Sequence, residues 1–359
     1  MTKIQVKLKN NPYPIIINEN LKKNLSSLIE KYNLGNFGFV ITSPKVYKLY
    51  KKIIKDNFSS KKFKIIVTAN GEKAKSKYWL FTIIKKIIKT DKTTKNPFII
   101  CLGGGTIGDL GGFVASIYKR GIPYIQVPTT LVGQIDSSIG GKTAIDLPEA
   151  KNILGSFYQP KAVLIDPSFL KTLSKKDFKE GLAEAIKYGL IKDRELFFLI
   201  KNNPKKIINL DALLINKIIY KSAKIKARIV EEDEKEKKGI RTILNFGHTF
   251  AHGLESASKY KRISHGKAVA IGMFYAAHLS KQLGKCSNKI IEEIQAILKL
   301  YNLPIKIQFN PQELLKAISY DKKFTTGKIR MVLIQKIAKV EVSDKITTQN
   351  LKKSFKKIN

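Results

Sequence analysis

Glu184, His248 and His265 are residues of the types that could hold a divalent metal, and with His252 they sit in unusual surroundings for a chain so rich in lysine. Glu184 lies in GLAEAIKYG (181–189), where Lys187 follows at i, i+3 on the same helix face. That spacing alone describes an ordinary surface ion pair. Arg241, Asn245, His248 and His252 succeed one another at steps of 4, 3 and 4. The steps predict a polar stripe on one helix over 241–258, whose other side holds Ile243, Leu244, Phe246, Phe250 and Leu254. His265 stands in ISHGK (263–267), ahead of a further helix. If Glu184, His248 and His265 met, two imidazoles and a carboxylate would suit zinc with a position open to substrate. Each histidine taken singly reads equally well as a satisfied core residue.

A second chemistry is suggested by GGGTIGD (103–109), placed after the apolar run 97–102 and before a helical pattern over 110–119. Glycines there let backbone N–H groups approach a pyrophosphate at a helix N-terminus. The spacing is neither GxGxxG nor a Walker loop, so a tight structural turn stays open as the other reading. Asp109 would repel an adjacent phosphate and is expected to bond a carboxamide or a hydroxyl. From 101 to 140 the only basic residues are Lys119 and Arg120, and from 243 to 258 there are none. The first stretch holds the strand pattern 124–128, Thr129, Thr130 and then QIDSSIGGKT (134–143). Small residues around Lys142 suggest close backbone approach to an anion; the alternative is a solvent-facing loop.

The elements that must position these residues are readable from periodicity. Short apolar runs at 38–41, 64–67, 97–102 and 162–165 alternate with helical patterns at 44–55 and 76–89, which is the logic of a mostly parallel sheet with both faces covered. From Ser174 on the period becomes 3.6, over 176–191, 193–201, 211–232, 241–258, 266–283, 290–301 and 311–318. The expected fold is therefore an α/β N-terminal domain, residues 1–170, followed by an all-α C-terminal domain, residues 171–359.

The 359 residues carry 67 Lys and Arg against 28 Asp and Glu, a net charge of +39. Only six of the basic residues are Arg, whereas proteins that read phosphates and bases favour the guanidinium fork. Lysine is scattered along the chain with Ile and Asn, so a nucleic-acid partner is not expected. Two cysteines without a CxxC motif suit a reducing cytoplasm. No apolar run approaches the roughly 18 residues of a membrane span, so a soluble, cytoplasmic protein is expected.

Taken in order, GEKAKS (71–76), GGGTIGDLGGF (103–113), Arg120-Gly121, QVPTTLVGQIDSSIGGKTAI (126–145), Lys151-Asn152, FLKTL (169–173), GLAEAIKYG, LNFGHTFAHGLE (244–255), HGKAVAIGM (265–273) and Asp321-Lys322-Lys323 resemble the 3-dehydroquinate synthase family. That family is related to glycerol dehydrogenase and the iron-containing alcohol dehydrogenases. The resemblance implies a Rossmann-like N-terminal domain and an active site in the cleft between the two domains. It also implies a lyase of the shikimate pathway that converts 3-deoxy-D-arabino-heptulosonate 7-phosphate to 3-dehydroquinate and phosphate. In that reaction NAD oxidises C5, phosphate is eliminated, the same NADH reduces the ketone again, and the opened ring closes by an aldol step. By matching motif positions, NAD would lie against Gly71, Glu72, Lys73, Ala74, Lys75, Ser76, Gly105, Thr106, Ile107, Gly108, Asp109, Thr129, Thr130, Lys142, Lys151, Phe169, Leu170, Lys171 and Thr172. Zinc, or cobalt in its place, would be held by Glu184, His248 and His265. Lys142, Asn152, Asn245, His252 and the Lys322-Lys323 pair would meet the phosphate end of the substrate, and Arg241 with Lys226 its carboxylate. Arg120 would reach a partner's phosphate across a homodimer, and Asp136 and Lys187 complete the catalytic set.

Three departures are visible. The stretch 233–241 is one residue longer than the family pattern, Ser43 stands where an Asn usually meets the adenine ribose, and Gly133 replaces an Ala. A related sugar-phosphate cyclase or a polyol dehydrogenase would share the fold and the metal set. The anion-binding set Lys142, Asn152, Arg241 and Lys322-Lys323 separates these, because a neutral polyol does not need it.

Overall fold

Runs such as Phe37–Thr42 and Pro97–Gly103 are buried along their whole length, as strands covered on both faces must be. The structure, a computed structural model, describes residues 1–91, 96–257, 263–320, 324–325 and 328–358. It divides into two units: Met1–Leu173 with Lys226–Lys235, and Ser174–Ile225 with Glu236–Asn359. The segment 226–235, beyond the expected boundary at 170, groups with the first unit.

Unit 1 runs β1 (Thr2–Val6), β2 (Tyr13–Ile17), α1 (Leu25–Glu30), β3 (Phe37–Thr42), α2 (Pro44–Leu49), α3 (Lys51–Phe58), β4 (Phe63–Val67), α4 (Lys77–Ile88), β5 (Pro97–Gly103), α5 (Gly105–Ile117), β6 (Tyr124–Pro128), β7 (Lys142–Ile145), β8 (Leu154–Phe157) and β9 (Ala162–Ile165). Seven strands make one sheet in the order β1-β2-β9-β6-β5-β3-β4, parallel except for the β1–β2 hairpin. Side chains alternate across it. Phe39, Ile41, Ile99 and Cys101 pack with Leu80 and Ile83 of α4 and Leu110 and Val114 of α5. Val40, Ile100 and Leu102 pack with Ile29, Val46, Ile54 and Phe58 of α1 to α3. Each such fully buried side chain contributes about 1.5–3 kcal/mol of transfer free energy.

The strand order places β3 between β4 and β5, so the chain reverses its direction of travel across the sheet there. Doubly wound sheets bind ligands at the carboxyl ends of the strands at this switch point. Thr42-Ser43 and the Gly103-Gly104 turn are those ends. The helix after the turn begins earlier than the pattern predicted, with Gly104 as its N-cap and Gly105 as its first residue. A Cβ on Gly111 would lie 2.4 Å from Cys101 Sγ, so only glycine lets α5 rest this close to β5.

Unit 2 holds α6 (Lys175–Ile191), α7 (Arg194–Asn202), α8 (Pro204–Ile208), most of α9 (Ala212–Glu232), α10 (His248–Ala257), α11 (His265–Gln282), α12 (Asn288–Leu300), α13 (Pro311–Tyr320) and α14 (Thr348–Ile358). The helical second part is as expected from periodicity. It also carries a three-stranded antiparallel sheet that the pattern did not announce: β10 (Phe324–Thr325), β11 (Lys328–Lys336) and β12 (Lys339–Ile346). The β11–β12 turn is Ile337-Ala338, with Ala338 at φ 67, so the Asn or Gly that usually signals a hairpin is missing.

The helix expected over 241–258 is two pieces. Ile240–Asn245 is a 3₁₀ segment, and α10 starts only at His248. Gly247 between them sits at φ 80, and a Cβ on it would come 2.6 Å from Met273 N in α11. The backbone contact with α11 therefore breaks the helix. Arg241 and Asn245 do not share a helix face with His248 and His252.

Candidate functional site

Helix α6 is buried at every position from Gly181 to Ile191, so the Glu184/Lys187 pair is not the surface ion pair its spacing suggests. Glu184 is fully buried, Lys187 is 2% exposed, and Lys187 Nζ lies 2.5 Å from Glu184 Oε2. Oε1 of the same carboxylate faces two imidazoles, with His248 Nε2 at 3.4 Å and His265 Nε2 at 3.2 Å. These histidines are the first residues of α10 and α11. The two helices pack together, and α11 also packs on α6. His248 Nδ1 is 3.3 Å from the carbonyl of Phe246, and His265 Nδ1 is 3.4 Å from Glu255 Oε1. Both rings thus turn Nε2 toward Glu184.

The electrostatics of the cluster follow from this geometry. Burial works against the Glu184 charge, but Lys187, then His248 and His265, hold its carboxyl well below the usual range. Burial and the neighbouring Lys187 push His248 down to about 4, so this imidazole is neutral at pH 7. Burial opposes charge on His265 too, yet its bonds to Glu184 and Glu255 prevail and raise it to about 10.

One ligand atom from each of Glu184, His248 and His265 lies within 4.8 Å of the others. Tetrahedral zinc, with arms of about 2.0–2.1 Å, needs donors roughly 3.3 Å apart. The two spacings to Glu184 Oε1, 3.2 and 3.4 Å, match that value, and the donor set is of the kind that holds a divalent ion of the zinc type. His252 lies outside the set; its ring stands edge-on to that of His248, with centroids 5.5 Å apart. Glu255 was not among the sequence candidates. Its signal was there: it lies seven residues after His248, on the same face of α10, in the stretch devoid of Lys and Arg.

In unit 1 the start of α5 leaves the N–H groups of Gly105 and Thr106 without intrahelical partners, beside Thr129 and Thr130. Thr129 N donates to Gly103 O at 2.9 Å, and Thr130 Oγ1 accepts from Gly133 N at 3.1 Å. Asp109 points not at a carboxamide or hydroxyl of the chain but at Lys75, with 2.8 Å between Oδ2 and Nζ. Burial pushes the Asp109 carboxyl up, against the pull of Lys75. Lys75 also bonds Asn152 Oδ1. Asn152 N in turn donates to Asp146 Oδ1 at 2.8 Å, and Lys151 is 3.9 Å from Glu72. Glu72, Lys75, Asp109, Lys151 and Asn152 therefore form one polar network around a nearly buried ammonium.

Lys226 Nζ donates to both Oδ1 and the carbonyl O of Asp136, at 2.7 Å each. Arg241, 2% exposed, has Nε 3.3 Å from Glu236 Oε1, so Lys226 and Arg241 each have a carboxylate of their own. Asn245 is half-buried, and Lys142 and Arg120 are exposed. The side chains of Ala74, Ile107, Phe169 and Leu170 are in the core, so these four can offer a nucleotide only their backbone. Gly71, Lys73 and Ser76 belong to the turn before α4, which Ser76 caps by accepting from Trp79 N, while Lys171 and Thr172 are exposed. Ser43 spends its hydroxyl as the N-cap of α2, accepting from Val46 N at 3.3 Å. Lys322 and Lys323 lie outside the described residues.

The family descriptions "3-dehydroquinate synthase N-terminal" and "3-dehydroquinate synthase C-terminal" match residues 65–180 and 181–324. The 3-dehydroquinate synthase of Dictyoglomus thermophilum is 42% identical over 357 residues, covering 99% of this chain and 98% of that protein. That of Clostridium botulinum is 44% identical over 340 residues, covering 94% and 96%. Among solved structures, 2-epi-5-epi-valiolone synthase from Streptomyces hygroscopicus with NAD+ and Zn2+ bound superposes with a TM-score of 0.87 at 24% identity, covering 98% of each chain. 2-Deoxy-scyllo-inosose synthase, complexed with carbaglucose-6-phosphate, NAD+ and Co2+, gives 0.87 at 21% identity and 100% coverage of both. At these identities the two structures speak for the fold.

Proposed function

The chain belongs to the 3-dehydroquinate synthase family and carries out that family's phosphate-eliminating cyclisation, and from this we propose how its own residues divide the work. The observation that carries the assignment is the meeting of Glu184, His248 and His265, with Lys187 on the same carboxylate. Glu184, His248 and His265 would hold a zinc or cobalt ion, which would supply a Lewis acid for the C5 oxygen, and unit 1 would hold NAD, which would supply a hydride acceptor that is also the later donor. Glu184 is kept ionised by the Lys187 side chain beside it. The N–H groups of Gly105 and Thr106 would hold the pyrophosphate of NAD, and Asp109, fixed by Lys75, would lie against the cofactor. Lys142, Asn152, Asn245 and His252 bind the phosphate end of the substrate, Arg241 and Lys226 its carboxylate, and Asp136 holds Lys226 in place.

The test of this reading is cofactor economy. NAD at one tenth of the enzyme's substrate load is expected to support complete conversion of the heptulosonate phosphate, with no NADH absorbance accumulating. One free NADH per product would instead assign the chain to the polyol-dehydrogenase reading.

We place Arg120 across a homodimer. It is exposed and stands at φ 64, directly after Lys119 at φ 48, a pair of left-handed residues. Tyr78, Phe81 and Ile88 of α4, Ile117 of α5, and Leu154 and Phe157 of β8 are exposed apolar side chains on elements that touch one another. Such a surface is uncommon on a monomer. Sedimentation is expected to give twice the 40.5 kDa chain mass, and a single-chain mass at micromolar protein would remove this part. No described helix is long and apolar enough to cross a membrane, and Cys101 and Cys286 are free thiols. We place the activity in the cytoplasm.

A further inference from the structure

We propose that Glu255 is a positioning residue for the metal ligand His265: its carboxylate accepts the Nδ1 proton and so reserves Nε2 for the ion. The inference rests on the metal-site reading above. It starts from a difference between the two imidazoles. His248 is 8% exposed, and a backbone carbonyl, that of Phe246, accepts from its Nδ1. Among the described residues, no backbone carbonyl does the same for His265. Its side chain is 44% exposed, it is the first residue of α11, and the N-cap Ser264 makes no side-chain cap bond. Among the described residues, besides Glu184 and the ring of His248, His265 meets Glu255.

A neutral imidazole has one N–H and one lone pair. Only the tautomer protonated on Nδ1 offers Nε2 to a metal, and an acceptor beside Nδ1 selects that tautomer and the ring orientation together. Glu255 is itself held, 5% exposed and two turns beyond His248 on α10. A carboxylate so buried is costly unless paired, and His265 is one of its partners. One helix thus supplies a ligand from its first residue and the orienting group of a second ligand from its third turn.

The experiment uses the full chain stripped with a chelator, with zinc affinity read by competition against a chromophoric chelator and the site geometry by the visible spectrum of the cobalt form. Glu255→Ala is expected to weaken zinc binding by about 10- to 100-fold and to change the cobalt spectrum. Glu255→Gln, whose amide oxygen still accepts the Nδ1 proton, is expected to stay within about threefold of the unsubstituted protein. If Glu255→Ala does not fold, Glu255→Asp carries the test, because it keeps the charge but withdraws the oxygen by one methylene; it is expected to bind zinc at least threefold more weakly. A purely structural role would lower the melting temperature of the stripped protein and leave zinc affinity and the cobalt spectrum alone. Zinc affinity in Glu255→Ala within twofold of the unsubstituted protein, with the same cobalt spectrum, overturns the proposal. His265→Ala separates the two levels. If it loses zinc while Glu255→Ala does not, only the role of Glu255 falls; if it keeps zinc, the metal-site reading falls and takes this inference with it.

Discussion

Replacing Glu184, His248 or His265 by alanine, one at a time, is expected to leave the purified protein without bound zinc or cobalt and to lower kcat/KM by three orders of magnitude or more, about 4 kcal/mol of transition-state stabilisation. The three substitutions are not equally clean. Glu184→Ala strands Lys187, which is 2% exposed, and a buried charge left unpaired costs about 3–5 kcal/mol of stability. His265→Ala removes a side chain that is nearly half exposed and should fold normally, so it is the decisive variant. His252→Ala is expected to keep the metal and lose rate, since its ring stands outside the donor set. Metal analysis of the four proteins checks this, and full occupancy in the three ligand variants would sink the assignment. The same cluster fixes the pH dependence of metal binding. Without metal, His265 is raised to about 10 and carries a proton across the neutral range, whereas His248, at about 4, does not. Metal must therefore displace one proton, and affinity should rise about tenfold per pH unit from pH 6 to 9. A flat profile would mean that His265 is not a ligand.

Lys142→Gln is expected to lower kcat/KM by about a hundredfold or more, while replacing Lys52, Lys61, Lys206 and Lys289 together by Gln should leave it within about threefold, under about 1 kcal/mol. All five lysines are exposed in this structure. What differs is the setting. Lys142 follows the left-handed glycines Gly140 and Gly141 at the start of β7, next to the stretch in which lysine is nearly absent. A charge that touches the substrate anion makes a charge-assisted hydrogen bond. Exposed charges beyond about 10 Å are screened at physiological ionic strength. Equal losses in the single and the fourfold variant would show that the net charge of +39, and not a local site, holds the substrate.

What could be read from the residues alone was local. Phe37–Thr42 and Pro97–Gly103 declare themselves as covered strands because nothing in them tolerates water, and the glycines after 102 mark a place where backbone must come close to something. The candidate metal ligands were picked out by motifs in order, since a histidine carries no mark of what it will face. Tertiary structure decided the rest. Periodicity states which side of a helix is apolar, not what will cover the other side, so the Glu184/Lys187 pair looked solvated until α6 proved buried around it. It could not foresee the break at Gly247, because that break comes from a backbone contact with α11, remote in the sequence. Nor could it join Lys75 to Asp109 or Lys226 to Asp136, or set Glu255 against His265. Each of these pairs is a charge that burial would make costly alone, and the partner that relieves it lies on another element. Only the folded chain determines which element that is.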